Sequence, residues 1–116
     1  MATPHLIWKK SCDTCRRFKA ALEAEGVVFT DREINAQPLS ADEVAGLLGE
    51  RPVKDFLNPR NEVYRERGLA RTPPDRETAV ALIAAHNNLL RRPVFIAGDV
   101  VLTGNDLPAA LAALGR

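Results

Sequence analysis

The apolar stretch Leu6-Ile7-Trp8 runs into a cysteine pair, Cys12 and Cys15, and the pair opens an amphipathic run. That junction constrains the fold more than any other feature of the chain. Cys15, Phe18, Ala21 and Leu22 recur three and four apart, the spacing of one helical face, so a helix is expected from about Asp13 to Glu25. Gly26 is a fitting helix stop. Val27 to Phe29, extending to Ile34, then reads as a second strand after a first strand over His5 to Trp8. Strand, helix and strand in so short a span make a βαβ unit. Its two strands run parallel, with the cysteines at the carboxyl end of the first.

The same placement has chemical consequences. Cys12 stands at the tip of the helix, where the partial positive charge of the N-terminus favours a thiolate over a thiol. The thiolate is the attacking species in sulfur chemistry. Cys15 lies one turn further on, on the buried side, within reach of any bond formed on Cys12. Lys9, Lys10, Arg16, Arg17 and Lys19 concentrate positive charge around the pair, and Lys10 and Arg16 are the nearest candidates for lowering the Cys12 pKa. Two cysteines also make half of a zinc site. A closed site needs two more ligands, however, and the only histidines, His5 and His86, form no close pair, so no metal is expected. A permanent disulfide here would close a very short loop and stabilise little.

The rest of the composition narrows the class. A chain of 116 residues forms one compact domain, spanning 1–116. With a formal net charge of +1 it carries no global basic field, so direct nucleic-acid binding is not expected. The N-terminus shows no signal-peptide pattern and no run reaches membrane-spanning length, which points to the cytoplasm and away from a membrane partner. In that reducing setting a CxxC pair is catalytic, redox-sensing or metal-binding more often than structural. No Gly-x-Gly-x-x-Gly follows a strand, so no bound flavin or nicotinamide cofactor is implied.

The middle of the chain, about 38–90, reads as helical and irregular. Ser40 followed three residues later by Glu43 is a capping box, with Val44, Leu47 and Leu48 forming the apolar side of the helix it starts. Pro52, Pro59, Pro73 and Pro74 break the segment into short pieces. A longer helix is expected from about Asp75 to Leu89, with Ala79, Leu82, Ile83 and His86 on one stripe; His86 reads as partly buried or helix-ending and not as a base. The end of the chain is clearer. Val94 to Ala97, Gly98-Asp99 and Val100 to Thr103 form a hairpin signature with a two-residue turn. Asn105 or Asp106 can then cap a last helix carrying Leu107, Leu111 and Leu114. The order is βαβ, a helical insert, then ββα: an α/β chain with a mixed four-stranded sheet of the thioredoxin-like kind.

Arg91-Arg92-Pro93 leads directly into the hairpin. Proline is tolerated at the first residue of a strand, and two solvated arginines would complete the plain reading. In a thioredoxin-like sheet this proline instead sits beside the cysteine loop, in the cis form usual for that fold, and shapes the substrate edge. Arg92 then projects toward Cys12, where a guanidinium stabilises a thiolate and grips an oxyanion or carboxylate.

Four segments together resemble the arsenate reductase (ArsC)/Spx/YffB family: Ser11 to Arg17, Gln37 to Glu43, Asn58 to Tyr64 and His86 to Pro93. The resemblance runs from the first strand to the final hairpin. It implies a thiol–disulfide oxidoreductase or reductase in which Cys12 attacks, Cys15 resolves and Arg92 holds an anion or the thiolate. Glutathione, glutaredoxin or thioredoxin would supply the electrons, and the protein would act as a monomer. The arsenate reductase branch implies an oxyanion site of arginines, with Arg92 matching one and Arg60, two residues from the expected position, a substitute for another. Thr103-Gly104-Asn105 stands where the third is expected. The Spx branch implies a redox-sensing transcriptional regulator that binds the RNA polymerase α subunit.

Overall fold

The computed structural model describes residues 3–116. Four strands, β1 (His5–Trp8), β2 (Thr30–Glu33), β3 (Val94–Ala97) and β4 (Val100–Thr103), form one mixed sheet in the order β2-β1-β3-β4. β1 and β2 run parallel with His5 opposite Thr30 and Trp8 opposite Glu33. β3 lies antiparallel to β1 with Leu6 opposite Phe95, and β4 antiparallel to β3 with Ala97 opposite Val100. Helix α1 (Asp13–Ala24) links the parallel pair, and α5 (Leu107–Ala113) follows the hairpin. This is the thioredoxin-like arrangement.

The chain divides into two compact units. One is discontinuous, residues 1–37 and 92–116, and carries the whole sheet with α1 and α5; the other is continuous, residues 38–91. In the sheet unit the core gathers Leu6, Phe18, Leu22, Val27, Phe95 and Ala110, with Trp8, Phe29, Leu102 and Leu107 packed at its margin. Phe18 of α1 meets Phe95 of β3 edge to face, ring centroids 6.1 Å apart and planes at 69°. Such pairs add to plain area burial because a ring's positive edge meets the other's negative face.

β2 begins later than the apolar run suggests. Val27 is drawn into the core and its N–H donates to the Leu22 carbonyl, closing α1, while Val28 stands 80% exposed. Pairing with β1 begins only at Thr30, whose N–H donates to the Pro4 carbonyl. β2 is therefore the polar run Thr-Asp-Arg-Glu on the sheet's edge, a position where hydrogen bonding to β1 outweighs side-chain pattern. The hairpin falls on the expected residues: Gly98 at φ 61° supplies the left-handed turn conformation that other residues adopt only at a steric cost.

The helical unit contains α2 (Ala41–Leu48), α3 (Glu62–Glu66) and α4 (Arg76–Ala85), with short 3-10 turns at Val53–Phe56 and Asn87–Leu89. α2 starts in a complete capping box: Ser40 Oγ accepts from Glu43 N–H at 3.2 Å and Glu43 Oε1 accepts from Ser40 N–H at 3.0 Å. Val44, Leu47 and Leu48 are its buried face. α4 is shorter than its apolar stripe. Asn87 Nδ2 donates to the Ile83 carbonyl at 2.9 Å, while Asn87 Oδ1 accepts from Leu39 N–H at 2.6 Å. A side chain thus supplies the partner that a further helical turn would have provided, and the helix stops at Ala85 with an exposed His86 as its last cap.

Candidate active site

β1 ends at Trp8, and the turn from Lys9 to Cys12 is closed by Cys12 N–H donating to the Lys9 carbonyl at 3.0 Å. Cys12 takes the N-cap position of α1 in an extended conformation, φ −92° and ψ 114°, and its own carbonyl accepts from Arg16 N–H at 3.1 Å. Its side chain stays partly exposed while Cys15, three residues on, is fully buried; both are free thiols. The helix that places them so is anchored by Phe18 and Leu22 below Cys15.

The two sulfurs are driven apart in acidity. Partial burial works to raise the Cys12 pKa, but hydrogen bonding from the Cys15 thiol and backbone N–H, together with the charge and side-chain hydrogen bond of Arg92, outweighs it. The net effect holds Cys12 below an ordinary thiol. Burial pushes Cys15 up to about 11, and the neighbouring Cys12 adds to the rise, against a hydrogen bond from the Lys9 backbone and the charge of Arg92. One sulfur of the pair is favoured as thiolate and the other as thiol.

Arg92 reaches Cys12 because the sheet brings it there. Val94 pairs with Ile7, so the residues before β3 continue alongside the end of β1, where the cysteine loop departs. The Arg92–Pro93 peptide bond is cis. Pro93 is buried and its carbonyl accepts from Gly104 N–H at 2.8 Å. Cys12, Cys15, Arg92 and Pro93 thus come together within the sheet unit from positions eighty residues apart in sequence.

The remaining candidates sit differently. The Arg16 guanidinium donates to the Lys10 carbonyl at 2.9 Å and to Asp13 Oδ1 at 3.1 Å, so its charge is directed at the loop and a carboxylate. Arg17 pairs with the other oxygen of Asp13 at 2.9 Å. Lys10 is exposed, and its backbone N–H donates to Glu33 Oε2 at 2.8 Å. Arg60 belongs to the helical unit, exposed in the turn before α3, with its N–H donated to Asn58 Oδ1 at 3.0 Å. Among the described residues no group of three or more His, Cys, Asp or Glu side chains is arranged to hold a metal ion, and no helix is long and apolar enough to cross a membrane. Glu33 escaped sequence reasoning altogether. It is one charge in a polar strand, and only the parallel register places it beside the loop.

The ArsC family model matches residues 7–112 of this chain. The global transcriptional regulator Spx of Bacillus subtilis is 32% identical over 88 residues, covering 74% of this chain and 67% of that protein. Among solved structures, a YFFB protein superposes with a TM-score of 0.84 at 25% identity, covering 97% of this chain and 99% of that one. An arsenate reductase from Vibrio cholerae superposes at 0.81 with 21% identity, covering 95% and 96%, a likeness of fold alone.

Proposed function

We propose that this chain, which belongs to the ArsC family, is a thiol–disulfide oxidoreductase of the cytosol that works through Cys12 and Cys15. The observation that carries the reading is the placement of the two sulfurs: Cys12 at the N-cap of α1, partly exposed, and Cys15 one turn on, fully buried, a placement that holds Cys12 below an ordinary thiol and pushes Cys15 up to about 11. The Cys12 thiolate attacks one sulfur of a substrate disulfide, forms a mixed disulfide and expels the other sulfur as a thiolate. Cys15 then loses its proton and attacks the Cys12 sulfur. The substrate's second thiolate leaves, and Cys12 and Cys15 end as a disulfide, two electrons having passed to the substrate. A thiol donor, glutathione, glutaredoxin or thioredoxin, returns those electrons. Arg92 favours the Cys12 thiolate, and Pro93 shapes the edge against which a substrate lies. Both units act together as one functional domain in this reading.

A second reading is supported by the similarity to Spx over most of the chain. There the same Cys12–Cys15 disulfide is a signal, and the partner is the RNA polymerase α subunit. Turnover separates the two: a reductase cycles many times with a thiol donor, whereas a regulator forms a stable complex that depends on its oxidation state. Arsenate reduction is the weakest of the family activities here, because Thr103, Gly104 and Asn105 supply no guanidinium. One missing charge-assisted donor of about 1.5–3 kcal/mol weakens oxyanion binding roughly tenfold to a hundredfold.

The test is Cys15→Ser treated with oxidised glutathione. A stable adduct of one glutathione per chain on Cys12 is expected, read by intact mass and peptide mapping, because the resolving thiol is gone. If the variant reduces a disulfide substrate as fast as the wild type with a thioredoxin donor, Cys15 resolves nothing and the reading fails.

A further inference from the structure

Lys10, two residues before Cys12, is gripped on both sides of its backbone. Its N–H donates to Glu33 Oε2 at 2.8 Å from the end of β2, and its carbonyl accepts from Arg16 Nη1 at 2.9 Å from the first turn of α1. The other Glu33 oxygen, Oε1, accepts from Ala36 N–H at 2.8 Å, so the carboxylate also fixes the turn that leaves β2. The register sets this up, since Glu33 lies directly opposite Trp8, the last residue of β1 before the loop, and Ile34 N–H donates to the Trp8 carbonyl at 3.0 Å. The backbone N–H of Lys10 is thereby the donor and Glu33 the acceptor in a charge-assisted bond, the stronger class of hydrogen bond. The carboxylate is held below its usual pKa first by the Lys10 N–H, against the opposing effect of burial, and further by the backbone of Ala36 and Asn35 and the charge of Lys10. It accordingly stays ionised, and the tether intact, throughout the neutral range.

We propose that Glu33 is a positioning residue for Cys12: by holding the Lys10 peptide against the end of β2 it fixes where the Cys12 sulfur meets Arg92, Cys15 and the start of α1. The proposal deepens the oxidoreductase reading and rests on Cys12 being the attacking thiolate. The position of the sulfur matters because the groups that favour its thiolate, the Cys15 thiol and N–H and the Arg92 guanidinium, act over hydrogen-bonding distances. A loop that slides away from β2 forfeits them. The neighbouring charges of Lys10 and Arg16 would not hold the sulfur in place, since neither side chain replaces the lost acceptor.

The sign of the effect separates positioning from plain electrostatics. Deleting a negative charge near a thiol, with nothing moved, lowers the thiol pKa. Loosening the loop raises it. The experiment measures the iodoacetamide alkylation rate of Cys12 against pH, by peptide mass spectrometry, in the wild type, Glu33→Ala and Glu33→Gln, each checked for a folded circular dichroism spectrum. Expected is a Cys12 midpoint raised by about half a unit to one unit in Glu33→Ala. Glu33→Gln, which keeps the length and one carbonyl acceptor, should raise it less. A midpoint that falls or does not move in Glu33→Ala overturns the positioning role while leaving the nucleophile assignment standing. A wild-type Cys12 that alkylates no faster than Cys15 overturns both.

Discussion

The sheet unit and the helical unit are built by opposite strategies. In residues 38–91 each α-helix starts at a capping side chain close in sequence. Ser40 and Glu43 start α2, Asn61 Oδ1 accepts from Val63 N–H at 2.9 Å before α3, and Asp75 Oδ1 accepts from Thr78 N–H at 2.8 Å before α4. In the sheet unit the decisive contacts are remote: β1 pairs with β3 across about ninety residues, Phe18 packs on Phe95, and Arg92 meets Cys12. The candidate sulfurs, Cys12 and Cys15, lie in the second kind of structure. Chemistry that needs a thiolate, a thiol and a guanidinium in one place draws on groups that no local stretch of chain brings together, whereas a helical insert needs only its own caps and apolar faces.

Three substitutions break or sharpen that contrast, in order of expected effect. Phe95→Ala removes a ring at the centre of the sheet unit's core, where it is 1% exposed, and should destabilise the protein by about 3–5 kcal/mol. Chemical denaturation gives the magnitude, and amide exchange gives the distribution: protection should fall first in β1, β3 and β4. Equal loss in α2 and α4 would mean that the two units unfold as one and that the contrast is only one of construction.

Arg92→Gln has a smaller effect of a different kind. It withdraws a remote charge that favours the Cys12 thiolate, so the Cys12 alkylation midpoint should rise by about one unit, equivalent to about 1.4 kcal/mol. The sign follows from the partner. A cation stabilises the charged form of an acid, so without it the thiolate appears only at higher pH, and reactivity near neutrality falls. An unchanged midpoint would put the whole of the thiolate preference on local groups, Cys15 and the helix start, and would erase the distinction drawn between the units at this site.

Ser40→Ala is the mildest. It deletes half of the capping box and should cost about 1 kcal/mol, within the range of about 0.5–2 seen for such caps. Faster amide exchange should be confined to the first turn of α2, with Cys12 alkylation unchanged. A Cys12 response to this substitution would show that the helical unit's local caps do reach the reactive sulfur.

The contrast also explains what could be read in advance. The hairpin, the capping box and the start of α1 depend on residues within a few positions of one another, and all three fall where the sequence places them. The second strand and the long helix of the insert do not. Val27 to Phe29 has the apolar pattern of a strand, yet pairing with β1 starts at Thr30, because an edge strand is chosen by the hydrogen-bonding partner it finds. The stripe from Ala79 to His86 has helical period beyond Ala85, but Asn87 ends the helix by bonding to Leu39, a residue 48 positions away.

For the site, the sequence by itself named the candidate atoms. Two cysteines at a strand–helix junction make Cys12 and Cys15 candidates through residue type and spacing, and Arg92 joins them through the thioredoxin-like order of elements that puts its strand-leading proline beside the cysteine loop. It also determined which sulfur is buried, since Cys15 shares a helical face with Phe18 and Leu22. Only the tertiary structure decided what the surrounding charges do. Arg16 and Lys10 look alike as cations beside a thiol, but one is turned to a carbonyl and to Asp13, while the other contributes its backbone to a carboxylate on β2. Residue type fixes what a group can do. Its direction and its partner are set by strand register and loop geometry, which are properties of the paired sheet and not of any one segment.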